Sequence, residues 1–367
     1  MRVAVDARMI QRGSMHGIAR YVYELLKGMN HLESKIEFFV IVNANSPLLT
    51  DDSINNIEKI VISSNWISFG EQLELPSVLK KYDIDLFHTP SFVAPLIVPC
   101  KLVMTIHDLN HMVLPQFYTW FHQLYYKLVV HRSVFKSECI LTVSEFSKKE
   151  IMRTLGLGGD KIFVTYNGVS ETYKVVNDDL MKQYIREIYG LPEKFIFCVS
   201  NNKPHKNITQ LVRAYCYSDI DTPLVLACPV DYNLIKIAES YNKKHLIYFS
   251  KFINEDHLPV LYSMTDLFVY PSTYEGFGLP PLEALACGAP IVVSQSSSLP
   301  EVVGDCAVFA NPYDYRDIAR ALEQGLNDEN IRAHLKSKGI KHSSKFSWNK
   351  MCKETFDIYM RTLAGEI

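Results

Sequence analysis

The sequence predicts an α/β protein made of two doubly wound parallel-sheet domains. Three observations carry that prediction. Short apolar runs alternate with longer amphipathic ones along the chain, the pattern of strands and helices in βαβ units. The length of 367 residues suits two Rossmann-like domains of roughly 150–200 residues each. A turn signal at Asn167-Gly168, with a polar stretch after it that ends near Asp179, divides the series in two. The domains are therefore placed at 1–170 and 171–347, with 348–367 as a C-terminal helix.

In the first domain the runs Arg2–Asp6, Glu37–Val42, Leu86–His88, Leu102–His107 and Cys139–Val143 read as strands, and Lys161–Val169 closes the half. They are short and apolar, as strands covered on both faces must be. Apolar residues at helical spacing place helices at Gly17–Met29, Gln72–Lys80, Tyr118–Val134 and Glu145–Thr154. The second domain opens with the strand Lys194–Ser200. It continues with Leu224–Ala227, Leu246–Phe249, Leu267–Tyr270, Ile291–Ser294 and Ala307–Phe309. Helices fit Asn207–Tyr217, Tyr232–Tyr241, Asp256–Met264, Pro281–Cys287, Tyr315–Asn327 and Asn330–Lys338, and Trp348–Leu363 is amphipathic. Open α/β sheets bind ligands at the carboxyl ends of their strands, so a site in a cleft between two facing domains is expected.

Composition sets outer bounds. The chain is 48% hydrophobic and 21% charged, ordinary for a globular protein. A net charge of −2 argues against a nucleic-acid protein that relies on bulk charge. Eight cysteines lie scattered, with no Cys-x-x-Cys pair, which reads as buried free thiols in a reducing cytosol. The chain opens on a strand rather than a signal peptide. No apolar run reaches the about 18–20 residues of a transmembrane helix. A cytoplasmic protein is expected, with any membrane contact peripheral.

The most informative stretch runs from Pro271 to Pro290. Glu275 opens a Gly276-Phe277-Gly278 turn, and Glu283 sits one turn into an Ala/Leu-rich helix. The strand Leu267–Tyr270 precedes them. Strand, glycine turn and helix N-terminus together aim backbone N–H groups and a positive dipole end at a phosphate or sugar. An ionised carboxylate there accepts hydrogen bonds from ribose or hexose hydroxyls. Two glutamates alone also fit a helix cap and a solvated face. The glycines, the Pro280-Pro281 helix start and the small Ala284, Ala286 and Gly288 favour a sugar-nucleotide site.

Other residues fit the same chemistry. Lys206 lies between the strand Lys194–Ser200 and the next helix. A lysine at a helix N-terminus can neutralise charge developing on a departing diphosphate without a metal. Lys203 can assist, and a surface-loop lysine is the alternative. His107, at the carboxyl end of its strand, can hydrogen-bond a hexose hydroxyl, unless it is a satisfied structural histidine. His107 and His111 are four apart, but strand-like Val103–Ile106 and nearby Pro115 argue against the helix that zinc ligation at that spacing needs. Gly17 lies in the loop after the first strand, where glycine lets the backbone approach a ligand closely. Asp6, Arg20 and Asp108 are acceptor-side candidates.

Together these segments resemble the retaining glycosyltransferase family 4. Tyr270–Pro290 is similar to its Glu-x7-Glu signature. Val5–Arg8, Gly17–Tyr21, Asp85–Pro90, Thr105–Leu109, Thr142–Ser147, Lys203–Asn207, Ser298–Gly304 and Phe346–Trp348 resemble further family segments in order, over nearly the whole chain. The resemblance implies the GT-B fold, with the last helix crossing back to the first domain. It also implies transfer of a hexose from a nucleotide sugar with retention at the anomeric carbon. Glu283 would bind the ribose. Glu275 would lie near the donor hexose and its phosphate, and His107 would approach that sugar. Phe252 lies where the family brackets the nucleotide base, with a core phenylalanine as the other reading. The catalytic candidates are thus His107, Glu275 and Lys206. The donor-binding candidates are Gly17, Lys203, Phe252, Gly276, Phe277, Gly278, Leu279 and Glu283. The family often carries a second basic residue a few positions before its lysine; Val199-Ser200-Asn201-Asn202 departs from that.

The subtype resembles mannosyl- and rhamnosyltransferases of bacterial surface-polysaccharide clusters, such as those for O-antigen and lipopolysaccharide. GDP-mannose is the expected donor, with dTDP-rhamnose and UDP-sugars as alternatives. A glycan or polyprenyl-linked oligosaccharide is the expected acceptor, and no metal or other cofactor is expected. A catalytically inactive nucleotide-sugar binder is the reading from another class. A phosphorylase would need a pyridoxal lysine context that the sequence lacks. The helix Tyr118–Val134 mixes Tyr118, Trp120, Phe121, Tyr125 and Tyr126 with Lys127, His131 and Arg132. That mixture fits both a membrane interface and a core-facing helix.

Overall fold

The computed structural model describes residues 1–11, 17–113, 130–201, 203–250 and 253–367. The chain forms two compact units, Met1–Gly168 with Trp348–Ile367, and Val169–Ser347. Phe252 and most of the helix expected at Tyr118–Val134 lie outside the described residues; His131–Lys136 is helical.

Among the described residues, unit 1 holds seven parallel strands: β1 Arg2–Asp6, β2 Glu37–Asn43, β3 Glu58–Ile62, β4 Leu86–Thr89, β5 Lys101–Thr105, β6 Cys139–Thr142 and β7 Ile162–Val164. Their spatial order is β3-β2-β1-β4-β5-β6-β7. The chain steps outward from β1 to β3, then returns to the other side of β1 with β4. That reversal is a topological switch point, where the strand carboxyl ends leave a crevice for a ligand. Val3, Val5, Leu86 and Phe87 on the central strands are wholly buried, because helices cover both faces of such a sheet. The C-terminal helix Trp348–Ala364 belongs to this unit and lies against Gly17–Asn30. Their approach is so close that a Cβ on Gly28 would fall 2.5 Å from Cys352 Sγ.

Unit 2 holds β8 Ile196–Val199, β9 Leu224–Ala227, β10 Ile247–Phe249, β11 Leu267–Tyr270, β12 Ile291–Ser294 and β13 Val308–Ala310. They are parallel in the order β10-β9-β8-β11-β12-β13, so the switch point falls between β8 and β11. Both units are thus Rossmann-like. All eight cysteines are free thiols and seven are buried.

Several elements differ from the sequence reading. The strand expected at Leu102–His107 ends at Thr105. His107 therefore stands in the following loop, which turns where Asp108 Oδ1 accepts the Asn110 N–H at 3.0 Å. The edge strand β3 and the helix Asp179–Tyr189 lie beyond that reading.

Three histidines make the fold acid-sensitive. Burial pushes His88 and His111 down to about 3, and burial with the nearby Lys206 charge pushes His205 down to about 4. All three are neutral in the fold, whereas the unfolded chain protonates them below 6.5. Stability is therefore present above 6.5 and lost as the pH falls from there toward the folded values. The slope is about 1.4 kcal/mol per pH unit for each histidine. The urea midpoint is expected to drop between pH 7 and pH 5; a flat profile contradicts this.

Candidate active site

At the switch point of unit 2, β8 and β11 run side by side with Leu267 opposite Ile196, so the loops after them meet. The first carries Lys206 and the second Glu275. Lys206 Nζ donates to Glu275 Oε1 at 2.7 Å and to the Tyr270 hydroxyl at 2.8 Å. That hydroxyl donates to Glu275 Oε1 at 3.0 Å. The Lys206 and Glu275 side chains are only 15% and 13% exposed. Burial alone would lower the lysine, but the Tyr270 oxygen and the Glu275 carboxylate outweigh it and hold the ammonium well above its ordinary value. Burial alone would raise Glu275, but the charge and hydrogen bond of Lys206 hold it below its ordinary value. The site therefore keeps a fixed cation and a fixed anion at neutral pH.

Backbone geometry locks both loops. Lys206 ends a short 3-10 turn, Pro204–Lys206, just before the helix Ile208–Tyr217. Between them Asn207 takes φ +61°, and its Nδ2 donates to the Pro271 carbonyl at 3.1 Å and the Pro312 carbonyl at 2.7 Å. The His205 carbonyl accepts the Thr273 N–H at 2.8 Å and the Ser272 hydroxyl at 2.9 Å. The Glu275 N–H donates to Ser297 Oγ at 3.0 Å, and the Ser298 hydroxyl donates to the Phe277 carbonyl at 2.8 Å. The turn ends at Gly278, which has no side chain to cap the helix Leu279–Ala286. Pro280 and Pro281 have no N–H, so the donors of this helix end reside on Leu279 and the turn before it. The Phe277 ring is buried, 5.9 Å from that of Phe346. Glu283 is buried within the helix, and its Oε2 accepts the Tyr262 hydroxyl at 3.3 Å. Lys203 is exposed at the start of the 3-10 turn.

Unit 1 carries the other candidates. His107, two positions past β5, is half-buried, and the Tyr21 ring stands perpendicular to it at 4.8 Å. Gly17 is the exposed first residue of the helix Gly17–Asn30, with open space where a Cβ would project. Arg20 is half-buried one turn on. Asp6 is a correction to the acceptor-side reading. Its Oδ1 accepts Arg8 Nε at 2.9 Å and its Oδ2 accepts Arg8 Nη2 at 2.8 Å. The same Nη2 donates to Glu71 Oε2 at 2.9 Å. With 1% of its surface exposed, Asp6 is committed to a buried ion cluster. Among the described residues, no group of three or more His, Cys, Asp or Glu side chains could hold a metal ion.

Residues 15–173 match the profile described as Glycosyltransferase Family 4, and residues 182–342 match Glycosyl transferases group 1. The O-antigen chain mannosyltransferase B of Escherichia coli is 31% identical over 288 residues, which cover 77% of this chain and 75% of that protein. This chain belongs to glycosyltransferase family 4. The serotype-specific mannosyltransferase WbdA of Escherichia coli is 32% identical to the transferase over 279 residues, 72% of this chain and 34% of WbdA. The transferase thus spans about a third of WbdA's length. The crystal structure of Anabaena HepE with UDP and glucose superposes with a TM-score of 0.78 at 19% identity, covering 98% of the transferase and 99% of HepE. The fold is GT-B.

The Lys206–Glu275 cluster draws on side chains whose roles the sequence does not show. Tyr270 is the last residue of β11, and its hydroxyl completes the Lys206–Glu275 cluster. Its position at a strand's carboxyl end, just before Pro271, was the available signal. Ser297 and Ser298 brace the glutamate turn from a distant loop, which no local pattern shows. Gly278 has φ +106°, and a Cβ there would fall 2.6 Å from Leu299 Cδ2. Gly278→Ala is expected to destabilise unit 2 by about 1–3 kcal/mol, read as a lower urea midpoint. An unchanged midpoint contradicts the geometry.

Proposed function

We propose that this glycosyltransferase moves mannose from GDP-mannose onto a glycan or polyprenyl-linked acceptor in surface-polysaccharide synthesis. In this reading the anomeric configuration is retained and no metal takes part. The Lys206–Tyr270–Glu275 cluster at the unit 2 switch point carries the reading, together with the likeness to O-antigen mannosyltransferases.

In the reaction the bond from the anomeric carbon to the diphosphate oxygen breaks, and a bond to the acceptor oxygen forms on the same face. The acceptor's proton passes to the departing phosphate. Lys206 meets the negative charge that grows on the diphosphate, and the backbone amides of Gly276 to Leu279 share it. Lys203, the residue just before the 3-10 turn Pro204–Lys206, supplies a second charge. Glu275 stabilises the oxocarbenium-like sugar electrostatically. Glu283 accepts hydrogen bonds from the ribose, with one oxygen oriented by Tyr262. Phe252 brackets the base, and His107 hydrogen-bonds a hexose hydroxyl. Gly17 lets the backbone approach the donor's diphosphate, and Arg20 and Asp108 line the approach of the acceptor. A polyprenyl-linked acceptor places the transferase on the cytoplasmic face of the membrane as a peripheral protein; no described helix is long and apolar enough to cross a membrane.

The test is thermal stabilisation by GDP, UDP, dTDP and ADP, each with and without magnesium. A ligand that binds only the native state raises its apparent stability. A shift with GDP alone, unchanged by magnesium, is expected. A shift with UDP or dTDP instead replaces the donor. No shift with any nucleotide favours an inactive relative.

A further inference from the structure

We infer that Tyr21 is a positioning residue for His107, held in place by a buried hydrogen-bond chain that starts on the C-terminal helix. The inference rests on the reading that His107 contacts the donor sugar. Tyr21 is wholly buried on the helix Gly17–Asn30. Its ring stands at 84° to the His107 imidazole, with centroids 4.8 Å apart. An imidazole in a loop beyond its strand has two side-chain torsions to fix. An edge-to-face aromatic contact biases that choice by about two- to tenfold.

The contact orients His107 only if Tyr21 is itself fixed. Its hydroxyl is 3.2 Å from Thr105 Oγ1, which is 2.8 Å from His88 Nε2. His88 Nδ1 is hydrogen-bonded to the Tyr359 hydroxyl on the helix Trp348–Ala364. Tyr21, His88, Thr105 and Tyr359 are each 0% exposed. The chain is satisfied in either direction of donation, one for each neutral tautomer of His88. In one of the two, Tyr359 O–H donates to Nδ1, the Nε2–H donates to Thr105, and the Thr105 hydroxyl donates to Tyr21. The C-terminal helix, which carries none of the proposed substrate contacts, thereby sets the ring beside His107.

The experiment measures GDP release from GDP-mannose by Tyr21→Leu, Tyr21→Phe and Tyr359→Phe, with His107 present and in a His107→Ala background. Another nucleotide sugar replaces GDP-mannose if the thermal panel selects it. Tyr21→Leu is expected to lower kcat by about tenfold with the donor KM nearly unchanged, since misplacement of a contacting group costs rate rather than affinity. Tyr21→Phe keeps the ring but loses the hydroxyl that the chain holds, and restores only part of the rate. In the His107→Ala background Tyr21→Leu costs nothing further. An equal loss in both backgrounds overturns the inference and leaves the donor reading intact. Full activity of His107→Ala overturns the reading on which it rests. A second readout needs no turnover. The 15N-histidine NMR signal that His107→Ala deletes moves in Tyr21→Leu and in Tyr359→Phe. If neither variant moves it, the positioning contact does not exist.

Discussion

Lys206→Ala is expected to lower turnover of the nucleotide sugar by about 10²–10³-fold, or about 3–4 kcal/mol of transition-state stabilisation. The size follows from the site. Lys206 is the cation hydrogen-bonded to both Tyr270 and Glu275, it is only 15% exposed, and its partners hold it charged. In the variant the Glu275 carboxyl loses the charge that kept it low. Burial then dominates and it takes up a proton more readily, so the anion that the proposed reaction sets beside the sugar is weakened too. Lys206→Arg keeps the charge but replaces a compact ammonium with a planar fork, and is expected to recover part of the rate. Steady-state kcat and KM of the three proteins decide the matter. A loss below about tenfold in kcat/KM contradicts the assignment, because one lost charge-stabilising contact costs more.

Arg8→Ala is expected to be the most damaging single change to stability, at about 3–5 kcal/mol. It leaves the Asp6 and Glu71 carboxylates, each with a side chain 2% exposed, facing each other without their shared cation. It also removes the Nη1 donor that the carbonyls of Ser64 and Asn65 accept at 3.2 and 3.1 Å. Burial, and then the Asp6 charge, already hold Glu71 above its ordinary value against the pull of Arg8. Without Arg8 it rises further. A carboxyl with a raised folded value binds a proton more readily in the fold than in the unfolded chain, so acid relieves the defect. The gap to the wild type is therefore largest near pH 8 and narrower near pH 5. Urea unfolding of unit 1 at the two values tests this. A loss below about 1 kcal/mol, the size of a surface pair, contradicts it.

The sequence shows the elements whose burial is complete. Leu224–Ala227, Leu267–Tyr270 and Ile291–Ser294 are covered on both faces, and their apolar runs coincide with the strands. Where burial is partial the pattern weakens. β3 is an edge strand with Val61 51% exposed beside Glu58 and Lys59, so it reads as polar. The helix Asp179–Tyr189 buries only Ile185; Asp178 caps its start and Gly190, at φ +60°, ends it. Those caps were a better guide than its hydrophobicity.

The site divides in the same way. Lys206 and Glu275 are visible because each follows an apolar strand and a turn. That they share a hydrogen bond follows only from β8 lying next to β11, a pairing between strands 71 positions apart by Leu267 and Ile196. Asp6 looked available at a strand end, and the ion cluster that claims it depends on Glu71, across a separate loop. Tyr21 and Tyr359 reach the neighbourhood of His107 from opposite ends of the chain.

The most direct test of the account is the anomeric configuration of the product. The protein is incubated with GDP-mannose, whose sugar is the α anomer, and a mannoside acceptor in excess EDTA, and the product is read by proton NMR. The account predicts an α-linked product from the wild type and almost none from Lys206→Ala. A β-linked product, loss of turnover in EDTA, or equal turnover by the variant would contradict it.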